Sequence, residues 1–390
     1  MLRLVTAGES HGRCLIGILE GLPAGLAIDM DYIDRQLARR QLGYGRGARM
    51  SIEKDRIEVA SGIRHGRTLG SPISFIIENK DWANWREVMS VGPAPGGGEG
   101  GALTRPRPGH ADLAGALKFQ THDARDVLER ASARETAARV AAGSLCRSFL
   151  RCFGFRIGSH VLAVGPIKAP ARFWRLDSRR ILELDPQSSI RCADSGTEKR
   201  MKDAIDKAKR DGDSLGGVFE VLAAGVPVGL GSHGQWDRRL DAQIACALMS
   251  IPAAKAVEIG EGVRAAQAFG SAVHDEIYYH GESRRFFRRT NRAGGIEGGI
   301  SNGEDIRARV YMKPIPTMRK PLMTADLATK KAAQAPYERS DVCVVPAAAV
   351  IGEAMLAIAV AAAFLEKFGG DSMKEVEANF AGFQRRLSDY

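Results

Sequence analysis

The sequence predicts an α+β fold in which a few buried helices are set among many short strands. Four stretches carry helical periodicity, whereas glycine divides most of the remaining chain into short apolar segments typical of strands and turns. Helices and strands do not alternate regularly, so a parallel βαβ sheet is not expected. No internal repeat and no linker is visible, and we therefore predict a single domain over residues 1–390.

The N-terminal part predicts two strands, a helix and an arginine-rich loop. Residues 2–28 are apolar segments punctuated by glycine, which is a strand–turn–strand pattern. Asp31–Arg40 has apolar residues four positions apart and predicts a helix, while Ser71–Glu78 alternates like a strand. Two glycine-rich loops, residues 43–49 and 92–101, offer little to bury, so we expect both to be mobile until ligands bind.

Three further helices supply most of the predicted core. The first begins at Ser132, which with Glu135 fits a capping box. The second starts near Leu240 and must stop before Pro252, because proline cannot continue a helix. The third is the apolar stretch Ala354–Phe368, which two glycines follow.

Composition and local pattern exclude several classes of protein. The chain is 44% hydrophobic, which excludes general disorder, and its six scattered cysteines form no CxxC pair, so neither zinc nor disulfides are expected. The eight histidines show no metal-ligand spacing. The N-terminus lacks a signal-peptide pattern, and Pro346, Gly352 and Glu353 interrupt the most apolar stretch. We therefore expect a cytoplasmic protein without a membrane span or a bound metal.

The basic excess indicates small anions rather than nucleic acid. The chain has 56 Lys+Arg against 46 Asp+Glu, but only 6% aromatic residues, and its positive charge is spread along the sequence. Nucleic-acid sites usually combine a basic stripe with stacking aromatics. Arginine clusters here beside glycine and histidine, and its planar fork matches carboxylate and phosphate.

Four polar segments are candidates for chemistry, each bounded by residues that fix the backbone. They are Gly8–Gly12, Arg105–His110, the helix start at Ser132 with Arg134, and Tyr337–Asp341. A helix start carries unpaired N–H groups that attract anions. Each segment also has an ordinary alternative: a surface turn, a rigid loop exit, arginines paired on a solvated face, and a helix cap.

At these segments the sequence resembles the chorismate synthases, and the likeness runs in order along almost the whole chain. The stretches that carry it are GESHG (8–12), RRQLGYGRGARM (39–50), RPRPGHADLAGALKF (105–119), ERASARETAARVAAG (129–143), MSIPAAKAVEIGEG (249–262), GGIEGGISNGE (294–304), MKPIPT (312–317) and ERSDVC (338–343). The resemblance implies a β-α-β sandwich with central helices between antiparallel sheets, and a homotetramer. It implies the last step of the shikimate pathway, a 1,4-anti elimination of phosphate from 5-enolpyruvylshikimate 3-phosphate that gives chorismate.

The resemblance also assigns roles to particular residues. His11 would be the acid toward the departing phosphate, His110 would supply a proton at the flavin, and Asp341 would help the flavin N5 accept the ring hydrogen. The substrate's anions would be held by Ser10, Arg40, Arg46, Arg49, Arg134 and Arg339. The flavin would be bound by Ser132, Ala133, Arg134, Pro252, Ala253, Gly298, Lys313, Pro314, Ile315, Pro316, Thr317 and Arg339.

The cofactor implied by the resemblance is reduced FMN, with NADPH needed only if the enzyme reduces its own flavin. A separate flavin reductase is then a possible partner, and no nucleic acid or membrane is expected. Two other classes stay open at this point. One is an NADPH-dependent flavin reductase, and the other is a polyanion-binding protein.

Overall fold

The computed structural model describes residues 1–47, 53–93, 102–282, 284–337 and 341–390. The strands, in chain order, are β1 (Arg3–Ala7), β2 (Cys14–Glu20), β3 (Glu58–Ser61), β4 (Ile63–Arg64), β5 (Arg67–Thr68), β6 (Ile73–Glu78), β7 (Arg156–Val164), β8 (Ile167–Lys168), β9 (Gly217–Ala224), β10 (Ala254–Ile259), β11 (Ile277–His280), β12 (Arg285–Arg288), β13 (Ile296–Glu297), β14 (Ile300–Ser301), β15 (Ile306–Met312), β16 (Met323–Ala325) and β17 (Ala332–Gln334). The α-helices are α1 (Met30–Gln41), α2 (Asp112–Phe119), α3 (Arg125–Ala131), α4 (Thr136–Arg151), α5 (Ser178–Leu182), α6 (Ser195–Asp211), α7 (Leu240–Met249), α8 (Gly262–Ala265), α9 (Gly270–Val273), α10 (Val345–Phe368) and α11 (Met373–Ser388).

Two antiparallel sheets enclose the long helices. The first has the strand order β1-β2-β6-β3, and the second has the order β10-β15-β9-β7-β8. Helix α4 packs on β1 and β2, α10 packs on β7 and β9, and the two helices lie against each other. The predicted α+β class and the β-α-β sandwich are therefore confirmed. One continuous hydrophobic core includes residues of both sheets and both helices, which is what a single domain requires; the domain assignment itself stays a prediction.

The two central helices approach each other closely at Gly143. A Cβ atom at this position would lie 2.4 Å from the Cβ of Ala354 on α10. No side chain fits in that space, so glycine sets the distance between the helices. Small residues dominate α10, which is buried along most of its length, and an all-round apolar helix of this kind belongs in a protein core.

Helix α10 begins nine residues earlier than the sequence predicts, at Val345 rather than Ala354. Pro346 lies in its first turn, where the missing N–H would have had no helical partner. Gly352 packs against Phe219, whose ring leaves no room for a Cβ. The prediction that these residues interrupt the helix is wrong. The helix is long and apolar enough to cross a membrane, but 83% of its most apolar window is buried inside the protein.

Helix α4 begins at Thr136, later than the predicted start at Ser132, and the predicted capping box is wrong. Ser132 accepts a hydrogen bond from the Arg134 N–H, and a 3-10 turn at Ala133–Glu135 precedes the α-helix. The Glu135 side chain pairs with Arg139 instead of returning to the cap. A reciprocal capping box forms before α11, between Ser372 and Glu375.

Glu353 is a fully buried carboxylate at the middle of α10. Arg39 of α1 donates to both its oxygens at 2.7 and 2.9 Å, Arg147 of α4 donates at 2.6 Å, and Arg191 donates at 3.3 Å. Burial alone would raise the pKa of Glu353, but the three guanidinium groups outweigh it and hold the pKa well below its ordinary value. The charge therefore ties three helices together inside the core.

Candidate active site

The turn between β1 and β2 presents Ser10 and His11 and is bonded to α3. The backbone N–H of His11 donates to Glu129 Oε2 at 2.9 Å, and its Nδ1 lies 3.0 Å from both carboxylate oxygens. The backbone N–H of Ser10 donates to the Glu129 carbonyl at 2.9 Å. The imidazole stacks on Trp85 with ring centroids 4.0 Å apart. His11 is thus held from three directions.

A second loop, at the start of α4, meets the first. The Ser132 hydroxyl donates to the Ser10 hydroxyl at 3.1 Å. These residues are 122 positions apart in the sequence, so tertiary folding alone brings them together. The prediction places Ser10 with the substrate and Ser132 with the flavin, and this contact puts the two predicted sub-sites side by side.

Arg40 and Arg134 are buried beneath these loops and share one carboxylate. Arg40 reaches Asp55 at 3.2 Å and donates to the Ala133 carbonyl at 3.0 Å, while Arg134 reaches Asp55 at 2.5 Å and donates to Asn79 at 2.9 Å. Burial lowers the pKa of Arg40 to about 10, although Asp55 opposes the shift. Arg134 does not lie on a solvated face, so that alternative is excluded for it. Most donors of both groups already serve protein oxygens.

Arg46 and Asp341 form the next part of the site. Arg46 Nη1 lies 2.7 Å from Asp341 Oδ2, and the backbone N–H of Gly47 donates to Asp341 Oδ1 at 2.6 Å. The pKa of Arg40, lowered first by burial, is also shifted by the charges of Arg134, Arg46 and Asp341. The four charged groups therefore share one electrostatic environment. Arg49 and Arg339, two further predicted ligands, lie outside the described residues.

The first glycine-rich loop is anchored where the structure describes it. The Tyr44 hydroxyl donates to Asp206 at 2.9 Å, and the Gly45 carbonyl accepts from the Val342 N–H at 2.8 Å. Gly45 has a φ of +89°, which favours glycine. These contacts do not support mobility for this half of the loop. Its remaining residues, and residues 94–101 of the second loop, lie outside the described part of the chain, and their mobility stays a prediction.

His110 belongs to a second group of contacts around Asp112. Its Nδ1 bonds Asp112 Oδ1, and Arg107 donates to the same carboxylate through Nε at 2.8 Å. Burial would raise the pKa of Asp112, but the bonds from His110 and Arg107 outweigh it and hold the pKa below its ordinary value. Because the ionised carboxylate can only accept, Nδ1 must carry the hydrogen of that bond.

The predicted flavin segment at residues 313–317 lies beside this second group. Arg107 donates to the Thr317 hydroxyl at 3.1 Å, and the Lys313 ammonium donates to the Gly109 carbonyl at 2.7 Å. The Lys313 N–H donates to the Ala253 carbonyl at 3.0 Å, which adds the Pro252–Ala253 turn. Within the segment, the Ile315 carbonyl accepts from the Ser214 hydroxyl, and Pro316 flanks Gly109. Pro314 lies between Lys313 and Ile315 in sequence.

The two groups meet through helix packing, and Gly298 lies in the β13–β14 turn. Helix α2, which follows His110, packs on α3, which carries Glu129, with Gly115 against Val127. Gly298 lies in the β13–β14 turn at the first residue of α7, where the Gly299 carbonyl accepts from the Leu240 N–H. The Pro252–Ala253 turn follows the other end of that helix, about 15 Å away at 1.5 Å per residue. The flavin-binding role of Gly298 stays a prediction.

Several residues that shape the site carry no local signal in the sequence. They are Trp85, Asp55, Glu129 and Asp112. Arg107 lies within the predicted Arg105–His110 segment, whereas its carboxylate partner Asp112 lies outside it. Buried acids look like surface acids in a sequence, and only their three-dimensional partners distinguish them.

Fold and site together define an α+β protein in which hydroxyl, imidazole, guanidinium and carboxylate groups from distant segments come together. The chorismate synthase family model matches residues 2–365. The chain belongs to the chorismate synthase family, and it is a lyase that forms chorismate in the shikimate pathway.

Known relatives agree along the full length of the chain. It is 54% identical to the chorismate synthase of Solibacter usitatus, with 100% of both chains covered, and 57% identical to that of Desulforudis audaxviator, with 99% of this chain and 98% of the relative covered. A crystal structure of chorismate synthase superposes with a TM-score of 0.81 at 43% identity, covering 100% of this chain and 99% of the other. These matches support the whole-chain resemblance seen in the sequence.

Proposed function

We propose that the enzyme carries out a 1,4-anti elimination of phosphate from 5-enolpyruvylshikimate 3-phosphate with reduced FMN, in the site around His11. The observation that carries this proposal is the meeting of four distant segments. Ser10 contacts Ser132 across 122 residues, and Gly47 contacts Asp341 across 294 residues. Hydroxyl, imidazole, guanidinium and carboxylate groups thereby share one environment. An elimination beside several anions needs such groups to transfer protons and to stabilise negative charge.

The arginines have two kinds of role in this proposal. The substrate and FMN together bring about five to six negative charges. Arg40 and Arg134 share Asp55 and are almost fully bonded to protein, so they set the loop geometry and contribute positive potential. Ser10, Arg46, Arg49 and Arg339 are the proposed direct contacts to the anions. Arginine suits that task because its fork binds carboxylate and phosphate through two hydrogen bonds.

The donor set near Lys313 fits a flavin phosphate. Burial and the like charge of Lys255 both lower the pKa of Lys313. Two neighbouring ammonium groups favour an anion between them, since the anion removes their repulsion. The Thr317 hydroxyl lies in the same segment and is bonded to Arg107. Lys313 and Thr317, with the Ala253 turn, would hold the cofactor's phosphate on this side.

Proton transfer is assigned to three side chains. His11 protonates the leaving phosphate oxygen, because an oxyanion leaves more readily when a proton accompanies it. Asp341, fixed by Arg46 and the Gly47 N–H, helps remove the ring hydrogen. His110, bound to Asp112, holds a proton on the cofactor side. When bound, reduced FMN supplies electron density for the cleavage of the carbon–oxygen bond, which no side chain here can do.

An anaerobic assay tests the cofactor requirement. With photoreduced FMN and substrate under nitrogen, chorismate and phosphate should appear in equal amounts. NADPH with oxidised FMN gives turnover only if the enzyme reduces its own flavin; otherwise a separate reductase is needed. Chorismate formation without any flavin, or flavin reduction by NADPH without phosphate release, would contradict the proposal. The second outcome would instead favour the flavin reductase alternative.

Asp341→Asn should lower kcat by about 10² to 10⁴ while changing substrate and flavin affinity by only a few fold. The uncharged amide keeps the size of the side chain and an acceptor for the Gly47 N–H, but it no longer helps the flavin N5 to accept the ring hydrogen. Steady-state kinetics with reduced FMN, together with binding titrations, measure both effects. Asp206→Asn is the matched control: this carboxylate also holds the glycine-rich loop, through the Tyr44 hydroxyl, but takes no part in the chemistry. Equal losses in both variants would mean that Asp341 only anchors the loop.

We also propose that the enzyme works as a homotetramer in the cytoplasm. The β11–β12 hairpin exposes Ile277, Tyr279 and Phe286, and exposed apolar clusters often mark contacts between subunits. The six cysteines, all within described parts of the chain, are free thiols, as is usual in a reducing compartment. Light scattering of the purified protein tests the assembly, and a monomeric mass would contradict it.

A further inference from the structure

The contact between His11 and Glu129 offers a further inference, which rests on the proposed role of His11 as the acid. The two residues are 118 positions apart and come from different elements. The carboxylate side chain is only 2% exposed. One oxygen accepts the backbone N–H of His11, and both lie 3.0 Å from Nδ1 of its ring. The buried Glu129 carboxylate therefore contacts both the backbone and the imidazole ring of His11.

Glu129 is suited to act only as an acceptor. Arg125 donates to it at 3.3 Å from one turn earlier on α3. Burial alone would raise the pKa of Glu129, but the bonds and charge of His11, with Arg125, outweigh it and hold the pKa below its ordinary value. An ionised carboxylate has no hydrogen to give, so the ring must place a hydrogen on Nδ1.

Trp85 fixes the remaining freedom of the imidazole. Its ring stacks on that of His11, with centroids 4.0 Å apart and an interplanar angle of 25°. Arg125 also contacts Trp85, with its guanidinium 5.2 Å from the centroid of the Trp85 ring. A ring that is stacked on one face and bonded at one nitrogen cannot flip without breaking both contacts.

We propose that Glu129 is the positioning residue of His11 and selects Nε2 as the nitrogen that gives the proton to the leaving phosphate. In this step the doubly protonated imidazole of His11 gives its Nε2 proton to the leaving oxygen, which takes the electron pair of the breaking carbon–oxygen bond. The electrons of the ring carbon–hydrogen bond that is also broken stay in the ring and form its new double bond. Nδ1 keeps its hydrogen and its bond to Glu129 before and after the transfer. The ring is then ready for reprotonation without reorientation, which is how a carboxylate supports an imidazole acid elsewhere.

Glu129→Gln tests the assignment, because an amide presents one acceptor and one donor where the carboxylate presents two acceptors. His11 and Arg125 both still need acceptors, so the ring is no longer held in one tautomer. We expect kcat with reduced FMN to fall at least about tenfold, and by up to about 10⁴, with KM little changed. Nitrogen-15 NMR of the neutral imidazole, the form left after the proton is given, should show the Nδ1–H tautomer in the wild-type enzyme and its loss in the variant.

Glu135→Gln is the matched control. Glu135 is also a buried carboxylate with an arginine four residues away, Arg139, but no histidine contacts it in the described chain. It should keep wild-type kcat and the wild-type imidazole spectrum. An unchanged tautomer or an unchanged kcat in Glu129→Gln would overturn the inference and leave the proposed function intact.

Two further measurements keep the test decisive. If Glu129→Gln does not fold, the wild-type spectrum decides, since an Nε2–H tautomer there is incompatible with the proposal. Glu129→Asp keeps the charge and should recover part of the lost rate; a kcat no higher than that of Glu129→Gln would count against a positioning role. A wild-type enzyme that forms no chorismate with reduced FMN would remove the proposed function, and the inference with it.

Discussion

His11→Ala should lower kcat by about 10² to 10⁴, the range expected when a general acid is lost. The leaving phosphate would then have to depart without a proton, while the arginines of the site would still bind the substrate. KM should therefore change much less than kcat. Anaerobic steady-state assays with reduced FMN measure both constants.

The fold should survive this substitution. Glu129 keeps its pairing with Arg125, so no buried charge is left alone. His233→Ala, in an exposed part of the chain, is the control and should retain the wild-type rate. A variant that lacks the His11 imidazole and still turns over normally would show that the acid is another group, and the roles of His110 and Asp341 would then need reassignment.

Glu353→Gln should lower the free energy of unfolding by about 3 to 5 kcal/mol, because it leaves Arg39, Arg147 and Arg191 buried without a counter-charge. Urea unfolding monitored by circular dichroism measures the change. Glu366→Gln on the same helix is the matched control. Its ion pair with Arg238 is exposed, and exposed pairs contribute at most about 1 kcal/mol. Similar losses in the two variants would contradict a special role for the buried charge.

The contribution of Glu353 should depend on pH in a defined direction. In the folded protein the pKa of Glu353 is lowered from its ordinary value of 4.5. At a pH between the folded pKa and this ordinary value, the unfolded chain therefore binds more protons than the folded chain. The stabilisation is therefore complete above about pH 4.5 and is lost as the pH falls toward the folded pKa. In unfolding experiments at roughly pH 6 to 8, the difference in unfolding free energy between wild type and Glu353→Gln should be constant, and it should shrink as the pH falls below about 4.5.

Local structure could be predicted from the sequence wherever a nearby residue determines it. The end of α7 before Pro252 and the start of the Ser132 segment are determined by neighbours in the chain. The start of α10 was missed because a proline in the first helical turn and a proline that ends a helix look alike in sequence. Only the tertiary structure, in which Gly352 of α10 packs against Phe219, shows that the helix continues through these residues.

The layered arrangement and the inner part of the site required more than local pattern. Strand β2 pairs with β6, and β9 pairs with β15, across long loops, and periodicity does not reveal such partners. The sandwich was predicted through family resemblance alone. The predicted histidines and arginines came from the same motifs, whereas Asp55 and Glu129 were missed, since their importance comes from buried partners contributed by distant segments.

The seam between Gly143 and Ala354 links the interior to the chemistry. Asp341 lies four residues before α10, and Glu353 lies on it next to the seam. A methyl group added at residue 143 would push α4 and α10 apart. The displacement of α10 would reach Asp341, just before its first residue, as well as the charged cluster around Glu353 near its middle. Substitutions of the small residues between α4 and α10 should therefore change catalytic activity and thermal stability together.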